Sequence, residues 1–402
     1  MDNQKNDKRR QHYVPKFYLR NFSKNKKSVG IYLFRESKII KHASIDNNFW
    51  KEYFYGEDAV VENKLADYEG RWNDIISAII ETERLPDNDS DLVWLQYFIL
   101  ISSARTLKRG NQINDDYTNL IKKLLEAEEP ELFKRAMSAG EGGFSVKMDY
   151  PTLPFISAAQ HCLPLVIDLK LDLLINRSAI DYVTSDNPAV FYNQLFQEKN
   201  LSRGFGWAEY GIQFIIPINP RIAICMYDSE VYNMKEKILN SDSTINKLNE
   251  LFLNNSDELI VFMYDDDDEA KNEKLEYINR LVERRICPPV QDEDCSITSF
   301  SNKQVVGKHD LSDIFEINQR FKEMSISNHS KEEIDEKLNA EISKLVTKLQ
   351  AMTEDERQTL LESKKCELIK FDFRDMERPW VKIYEKNQAE IMNFFESGKS
   401  DT

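Results

Sequence analysis

The chain reads as an α+β protein: an N-terminal β-hairpin and a helical layer packed on a small antiparallel sheet, with a C-terminal helical extension. Three observations predict this. Residues 57–137 carry apolar side chains at helical spacing. Residues 171–264 break into short β-leaning runs separated by turn residues. The helical and strand-like stretches are segregated along the chain, which favours an α+β layout over repeated βαβ units.

The elements follow in order. Residues 29–34 and 38–42 alternate around Arg35-Glu36-Ser37 and read as a hairpin. Residues 47–55 are aromatic-rich and read as irregular. Residues 57–83 form a helix on the recurrence of Val60, Val61, Leu65, Tyr68, Trp72, Ile75, Ile76 and Ile79. Residues 91–108 form a second helix, capped by Asp89 or Ser90 and apolar on most faces, so it belongs at the centre of a bundle. Residues 117–137 give a third helix, and 152–169 a fourth entered through Pro151 and Pro154. Short strands are expected at 171–176, 181–183, 189–192, 213–218 and 222–226, then a helix over 230–254 and a strand over 258–264. The acidic run 265–269 marks an exposed turn.

A chain of 402 residues has room for two or three domains. Cys287-Pro288-Pro289 marks a boundary, because two prolines continue neither a helix nor a central strand. This divides the chain into a core over 1–286 and a charged helical extension over 290–402. In the extension, Ile334, Leu338, Ile342, Leu345 and Leu349 form a modest apolar stripe. It fits either a helical hairpin packed on the core or a coiled-coil arm that makes a homo-oligomer.

At 41% apolar and 31% charged, the composition is that of an ordinary globular protein. No apolar run reaches the ~18–20 residues of a membrane helix, and the N-terminal cations precede no apolar segment, so neither a membrane partner nor secretion is expected. The five cysteines are odd in number, dispersed and without a CxxC, which supports neither a disulfide framework nor a structural zinc site. Cytoplasmic residence is the expectation. The P-loop, GxGxxG and HExxH patterns are absent.

Charge is distributed unevenly. The first 27 residues hold nine Lys/Arg against two Asp, while the whole chain carries −15. A basic arm on an acidic body either attracts an anionic partner or pairs with the protein's own surface. Within this arm, Arg9, Arg10 and Lys16 surround His12 and depress its pKa, favouring the neutral imidazole that a general base or metal ligand requires. Arg9, Arg10 and Arg20 suit phosphate oxygens. Tyr13, Phe17, Tyr18 and Phe22 either stack on bases or pack into the core.

Two further groups carry chemistry. Glu62 and Glu69 lie seven apart on one helix face inside an apolar pattern, and carboxylates directed at a core need a cation, a metal or a proton. Arg105, at the end of the next helix, is a candidate partner for either, in a structural or a catalytic role. In Thr184-Ser185-Asp186-Asn187-Pro188, Asn187 must avoid the α region before Pro188, which displays Asp186 at a strand end. The alternative is an Asx-turn that uses Asp186 on backbone N–H groups. The candidate catalytic set is His12, Glu62, Glu69, Arg105, Asp186 and Asn187. The candidate substrate-binding set is Arg9, Arg10, Tyr13 and Arg20. A histidine–carboxylate set accommodates Mg²⁺ or Mn²⁺, or metal-free acid–base work.

These segments together resemble a bacterial family known as domain of unknown function 4238. The matching residues are Arg10-Gln11-His12-Tyr13-Val14-Pro15 with Phe17-Tyr18-Leu19-Arg20-Asn21-Phe22, then Phe54-Tyr55, Glu62, Glu69, Arg105-Thr106, Thr184-Ser185-Asp186-Asn187-Pro188, Ile216-Pro217-Ile218-Asn219-Pro220-Arg221, Asn249 and Asn254. The opening and the Thr-Ser-Asp-Asn-Pro segment are the specific ones. The chain departs from the pattern before Arg105-Thr106, where a glutamine is frequent and Ser102-Ser103 stand here. Residues past about 290 look like an addition to the family's core. The resemblance implies no established reaction. Members look like accessory genes of mobile elements, some of them suspected anti-phage systems, which implies a toxic effector, most often a nuclease. The expectation is therefore a phosphodiester-cleaving nuclease acting on RNA or DNA. The alternative is a non-enzymatic sensor that recognises a phage protein or nucleic acid.

Overall fold

The computed structural model describes residues 9–138, 143–199, 206–286 and 308–325, together with residues 340, 347, 353, 378 and 381. In chain order the first elements are β1 (Arg10–His12), α1 (Lys16–Arg20), the hairpin β2 (Ser28–Leu33) and β3 (Lys38–Ser44), and β4 (Trp50–Glu52). The helical layer follows as α2 (Val60–Thr82), α3 (Asp89–Ala104), α4 (Leu107–Glu128), α5 (Pro130–Met137) and α6 (Leu153–Cys162), the last running into a 3₁₀ turn, Leu163–Leu165. Next come β5 (Lys170–Asn176), β6 (Thr184–Ser185), β7 (Val190–Tyr192), α7 (Gln194–Glu198), β8 (Gln213–Asn219), β9 (Ile222–Tyr227), β10 (Tyr232–Met234) and β11 (Ile238–Leu239). The remainder is α8 (Asp242–Asn255), β12 (Leu259–Phe262), α9 (Lys271–Val282), β13 (Phe315–Ile317) and α10 (Gln319–Glu323). This is the α+β class that the sequence predicts. Among the described residues no helix is long and apolar enough to cross a membrane.

Two sheets organise the molecule. One runs β11-β5-β9-β8-β7 and is antiparallel except for the parallel β11–β5 pair; the other runs β3-β2-β12-β6 and is antiparallel throughout. Because side chains alternate along a strand, β8 and β9 feed two cores at once. Phe214, Ile216, Ile218, Ile222, Ile224 and Met226 join Trp72 and Phe98 of the helical layer. Ile215, Ala223, Cys225 and Tyr227 face the other way, onto Leu248, Phe252, Ile278, Leu281 and Phe315. The central sheet is thus covered on both faces, which is why β7, β8 and β9 read as largely apolar runs.

The hairpin contains a local necessity for glycine. The β2–β3 register shifts between Val29 and Ile31, and a Cβ on Gly30 would lie 2.4 Å from the Phe262 ring of the neighbouring strand. Only a residue without a side chain lets Phe262 cross there.

Several boundaries differ from the sequence reading, each for a physical reason. The stretch 47–55 contains β4, which pairs with β1 in the register His12↔Trp50. The helix expected over 91–108 stops at Ala104, because Arg105 is its C-cap and the Thr106 side chain caps α4 by accepting from the Arg109 N–H. The third helix accordingly begins at Leu107 and breaks at Pro130. The helix expected over 230–254 begins at Asp242, capped by Ser241. The residues before it pair as strands, Tyr232–Met234 with Phe315–Ile317 and Ile238–Leu239 with Ile175-Asn176. Those partners are remote in sequence, so periodicity does not reveal them. Residues 308–325 pack into the second core through Leu311, Ile314, Phe315, Ile317 and Phe321. The Cys287-Pro288-Pro289 boundary and the apolar stripe of the extension lie outside the described residues.

Candidate functional site

The joint between α3 and α4 gathers the motif residues. Arg105, 1% exposed at the α3 C-cap, is the centre of the first group. Its Nη1 donates to Glu69 Oε1 at 2.6 Å, its Nε to the Tyr55 hydroxyl at 2.9 Å, and its Nη2 to the His12 backbone carbonyl at 2.6 Å. The Tyr55 hydroxyl donates to that same carbonyl at 3.1 Å. Burial opposes the Arg105 charge, but Tyr55 and Glu69 outweigh it and hold the group firmly cationic. Glu62 lies in the same field, since both it and Glu69 act on Tyr55. Gln11 pins the strand beneath by donating to the Gly56 carbonyl at 2.8 Å and accepting from the Tyr55 N–H at 2.5 Å.

The His12 ring faces elsewhere. It donates a hydrogen bond to the Ile45 carbonyl, while Nε2 is buried and makes no hydrogen bond. Burial, reinforced by Lys16 and Arg105, pulls its pKa down to about 4, so the imidazole is neutral at pH 7. Glu69 of the first long helix is therefore linked, through Arg105, to the main chain of His12 and not to its ring.

Asp186 and Lys108 are the heart of a second group. Asp186, 2% exposed, accepts from the Asp257 N–H at 2.9 Å and the Glu258 N–H at 2.7 Å. Burial pushes its carboxyl up to about 7 against those two bonds and the nearby Lys108 charge. Asn187 donates Nδ2 to the Asn255 carbonyl at 2.9 Å, and Asn255 donates back to the carbonyls of Asn187 at 2.5 Å and Ala189 at 3.1 Å. The side-chain oxygens of both asparagines are buried without a hydrogen bond. Lys108, in the first turn of α4, donates to the Asn255 carbonyl at 2.9 Å. Burial pulls its pKa down to about 8, with Arg109 and Arg285 adding and Asp257 and Asp186 opposing. Tyr13, whose pKa is raised by burial and then by Asp186, Glu258 and Asp257, lies in the electrostatic field of this group.

Of the sequence-derived candidates, the fold sets Asp186 and Asn187 side by side with Tyr13 in the field of Asp186, and separately joins Glu69, Arg105 and the His12 main chain, with Glu62 acting on Tyr55. Arg9 pairs with Glu52 at 2.7 Å. Arg10 donates to Asn47 at 3.3 Å and stacks 4.4 Å over Trp50, and Arg20 is exposed beside Asp46. With Lys16 on Asp46 at 2.8 Å, the described cations of the arm largely pair with the protein's own surface. Phe17, Tyr18 and Phe22 are buried in the core, so they offer no face to a base. Among the described residues, no group of three or more His, Cys, Asp or Glu stands where it could hold a metal ion.

Sequence reasoning missed Lys108, Asn255 and Arg285 altogether. Nothing in one sequence marks them, because their role depends on contacts between α4, the α8 terminus and the end of α9. Asn249 and Asn254, part of the family pattern, are structural ties: Asn249 accepts from the Val183 N–H at 3.0 Å, and Asn254 from the Ile286 N–H at 2.8 Å.

The family model described as "Protein of unknown function (DUF4238)" matches residues 10–266. The chain belongs to this family. The family segment holds both groups around the α3–α4 joint except for Arg285, which lies just beyond it. No curated protein and no solved structure matches the chain.

Proposed function

We propose that the chain is a toxic or anti-phage effector acting in the cytoplasm, whose family segment cleaves phosphodiester bonds in RNA or DNA. The observation that carries this reading is that Lys108 and Tyr13 lie in the electrostatic field of Asp186, with a carboxyl near pKa 7 and a lysine near pKa 8. A group that exchanges its proton near the working pH is the best general acid or base. Lys108, with Arg109 and Arg285 close by, supplies positive charge for a phosphate. A divalent cation such as Mg²⁺ or Mn²⁺ enters this proposal as a variable of the assay.

The test incubates purified protein with labelled tRNA, rRNA, ssDNA and dsDNA, in Mg²⁺, in Mn²⁺ and in chelator. Cleavage is expected, with a loss of about 10²–10⁴-fold for Asp186→Asn or Lys108→Met in protein that still melts cooperatively. Intact substrates from protein that still blocks phage would sink the nuclease reading.

One observation favours a second reading, a sensor or binding module that recognises a phage protein or nucleic acid, as a monomer or as a homo-oligomer through its C-terminal helices. Both Asp186 oxygens already bind main-chain N–H groups, and Arg105 is fully buried among protein acceptors. Such a network can fix a fold without chemistry. If His12→Ala and Asp186→Ala stay folded and fully active in cells, chemistry at those positions is excluded and recognition remains.

A further inference from the structure

Asn254 belongs to the family pattern, yet its side-chain amide is committed to residues beyond the family match, which ends at residue 266. Its Oδ1 accepts from the Ile286 N–H at 2.8 Å, and its Nδ2 faces Nε2 of His309 at 3.3 Å. The first contact fixes the second. A main-chain N–H can only donate, so the amide oxygen is turned to Ile286 and the amide NH₂ to His309. The ring nitrogen must then accept, and a histidine that accepts on Nε2 is neutral, with its proton on Nδ1. Protonation would set N–H against N–H inside a contact where both residues are buried.

His309 begins the segment 308–325 that lies over the second core. Further along, that segment is held without any histidine: β13 pairs with β10, and Leu311, Ile314, Phe315, Ile317 and Phe321 are buried. At its start it is held by His309 alone on two sides. The His309 N–H donates to the Tyr192 hydroxyl at 2.9 Å, and that hydroxyl donates to the His309 carbonyl. The ring takes the end of α8. Both anchors adjoin the candidate site. Tyr192 follows Phe191, over which Arg109 stacks at 5.3 Å. Asn254 precedes Asn255, whose side chain holds the Asn187 and Ala189 carbonyls and whose own carbonyl accepts from Lys108.

We propose that His309 is a pH-sensitive latch: its neutral ring fastens the segment 308–325 to the α8 terminus behind Asn187 and Lys108, and acid unfastens it. The charged groups on the elements around it are Lys308 and Asp310 of its own segment, Lys247 and Glu250 of α8, Glu198 of α7, and Arg284 and Arg285 past α9. Lys247 pairs with Asp310 at 3.6 Å and Asp313 at 2.7 Å, and Glu250 pairs with Arg284. Arg285 binds the Asp257 carbonyl at 2.7 Å, and Asp310 and Glu198 act on the Tyr192 hydroxyl. The latch stands on the Asn254–His309 geometry and does not require that the site cleave phosphodiesters.

The experiment follows amide hydrogen exchange in full-length wild-type and His309→Gln protein at about pH 7.5 and about pH 5, corrected for intrinsic rates. The glutamine amide oxygen can accept from Asn254 at either pH. Acid is expected to speed exchange at residues 254–256 and 309 by at least about fivefold in wild type and to leave those amides of His309→Gln unchanged. Asp186 and His12 titrate alike in both chains, so the difference between the chains reports on residue 309. Asn254→Asp, which offers an acceptor to the ring, is expected to reverse the wild-type response. An equal response of wild type and His309→Gln, or no response in wild type, overturns the proposal. So does a wild-type ring that carries its proton on Nε2 at the higher pH, read by nitrogen NMR, a measurement that stands even where a variant fails to fold.

Discussion

Arg105 binds His12 by its backbone carbonyl, at 2.6 Å, and not by its ring. The two residues are joined across the α3–α4 joint, so the N-terminal strand is anchored by its main chain while its imidazole is turned to the Ile45 carbonyl. The buried guanidinium is matched to three acceptors of different kinds. Arg105→Ala leaves Glu69 facing a vacated site and is expected to cost about 3–5 kcal/mol in urea denaturation, as when one partner of a buried ion pair is removed. Arg105→Lys is expected to restore only part of that, because one ammonium cannot span the three acceptors. A loss under about 1 kcal/mol for the alanine variant contradicts this account.

His12 and Asp186 are expected to give opposite pH slopes. The His12 pKa falls from 6.5 to about 4 on folding, so its contribution is present above pH 6.5 and is lost as pH falls through 4. The Asp186 pKa rises from 3.8 to about 7, so its contribution is present below 3.8 and is lost as pH rises through 7. The stability difference between wild type and His12→Gln should therefore shrink from pH 7 to pH 4, while that between wild type and Asp186→Asn should shrink from pH 4 to pH 8. Denaturant titrations across that range measure both, and a flat difference for either residue refutes its assignment.

Tyr18 separates packing from base stacking. Its hydroxyl is paired with Thr184 Oγ1 and the Pro217 carbonyl, both at 2.6 Å, in the fully buried core. Tyr18→Phe keeps the ring but strands those partners, so a loss of about 1–3 kcal/mol in stability is expected. Nucleic-acid affinity, read by gel shift, should not change. Full stability with altered affinity would reverse this placement.

Gly30 and Phe262 should behave as one unit. A methyl at Gly30 meets the Phe262 ring at 2.4 Å, and overpacking of this kind costs about 1–3 kcal/mol. Phe262→Leu on the Gly30→Ala background is expected to recover part of the loss, giving a non-additive double-mutant cycle in thermal melts. Strict additivity shows that the ring does not press on residue 30.

The features legible in the sequence are those that depend on near neighbours. The hairpin around residues 35–37, the long amphipathic helix with Trp72 on its buried stripe, and the mostly apolar α3 follow from spacing alone, because burial imposes the period of each element on its side chains. The Thr106 cap was readable in principle, since a threonine three residues before Arg109 competes with helix continuation. The resemblance carried by the opening segment and Thr184-Ser185-Asp186-Asn187-Pro188 located the family, but it did not say which atoms of those residues face each other.

By itself, then, the sequence determined the α+β class, the order of most helices and strands, the family, and the residues whose chemistry needed explaining. Only the tertiary structure decided that Asp186 is clamped by the main chain at Asp257 and Glu258, and that Lys108 rather than His12 is its cationic neighbour. The reason is range. Periodicity and capping act over a few residues, whereas a buried charge takes its partner and its pKa from whatever chain the fold packs against it.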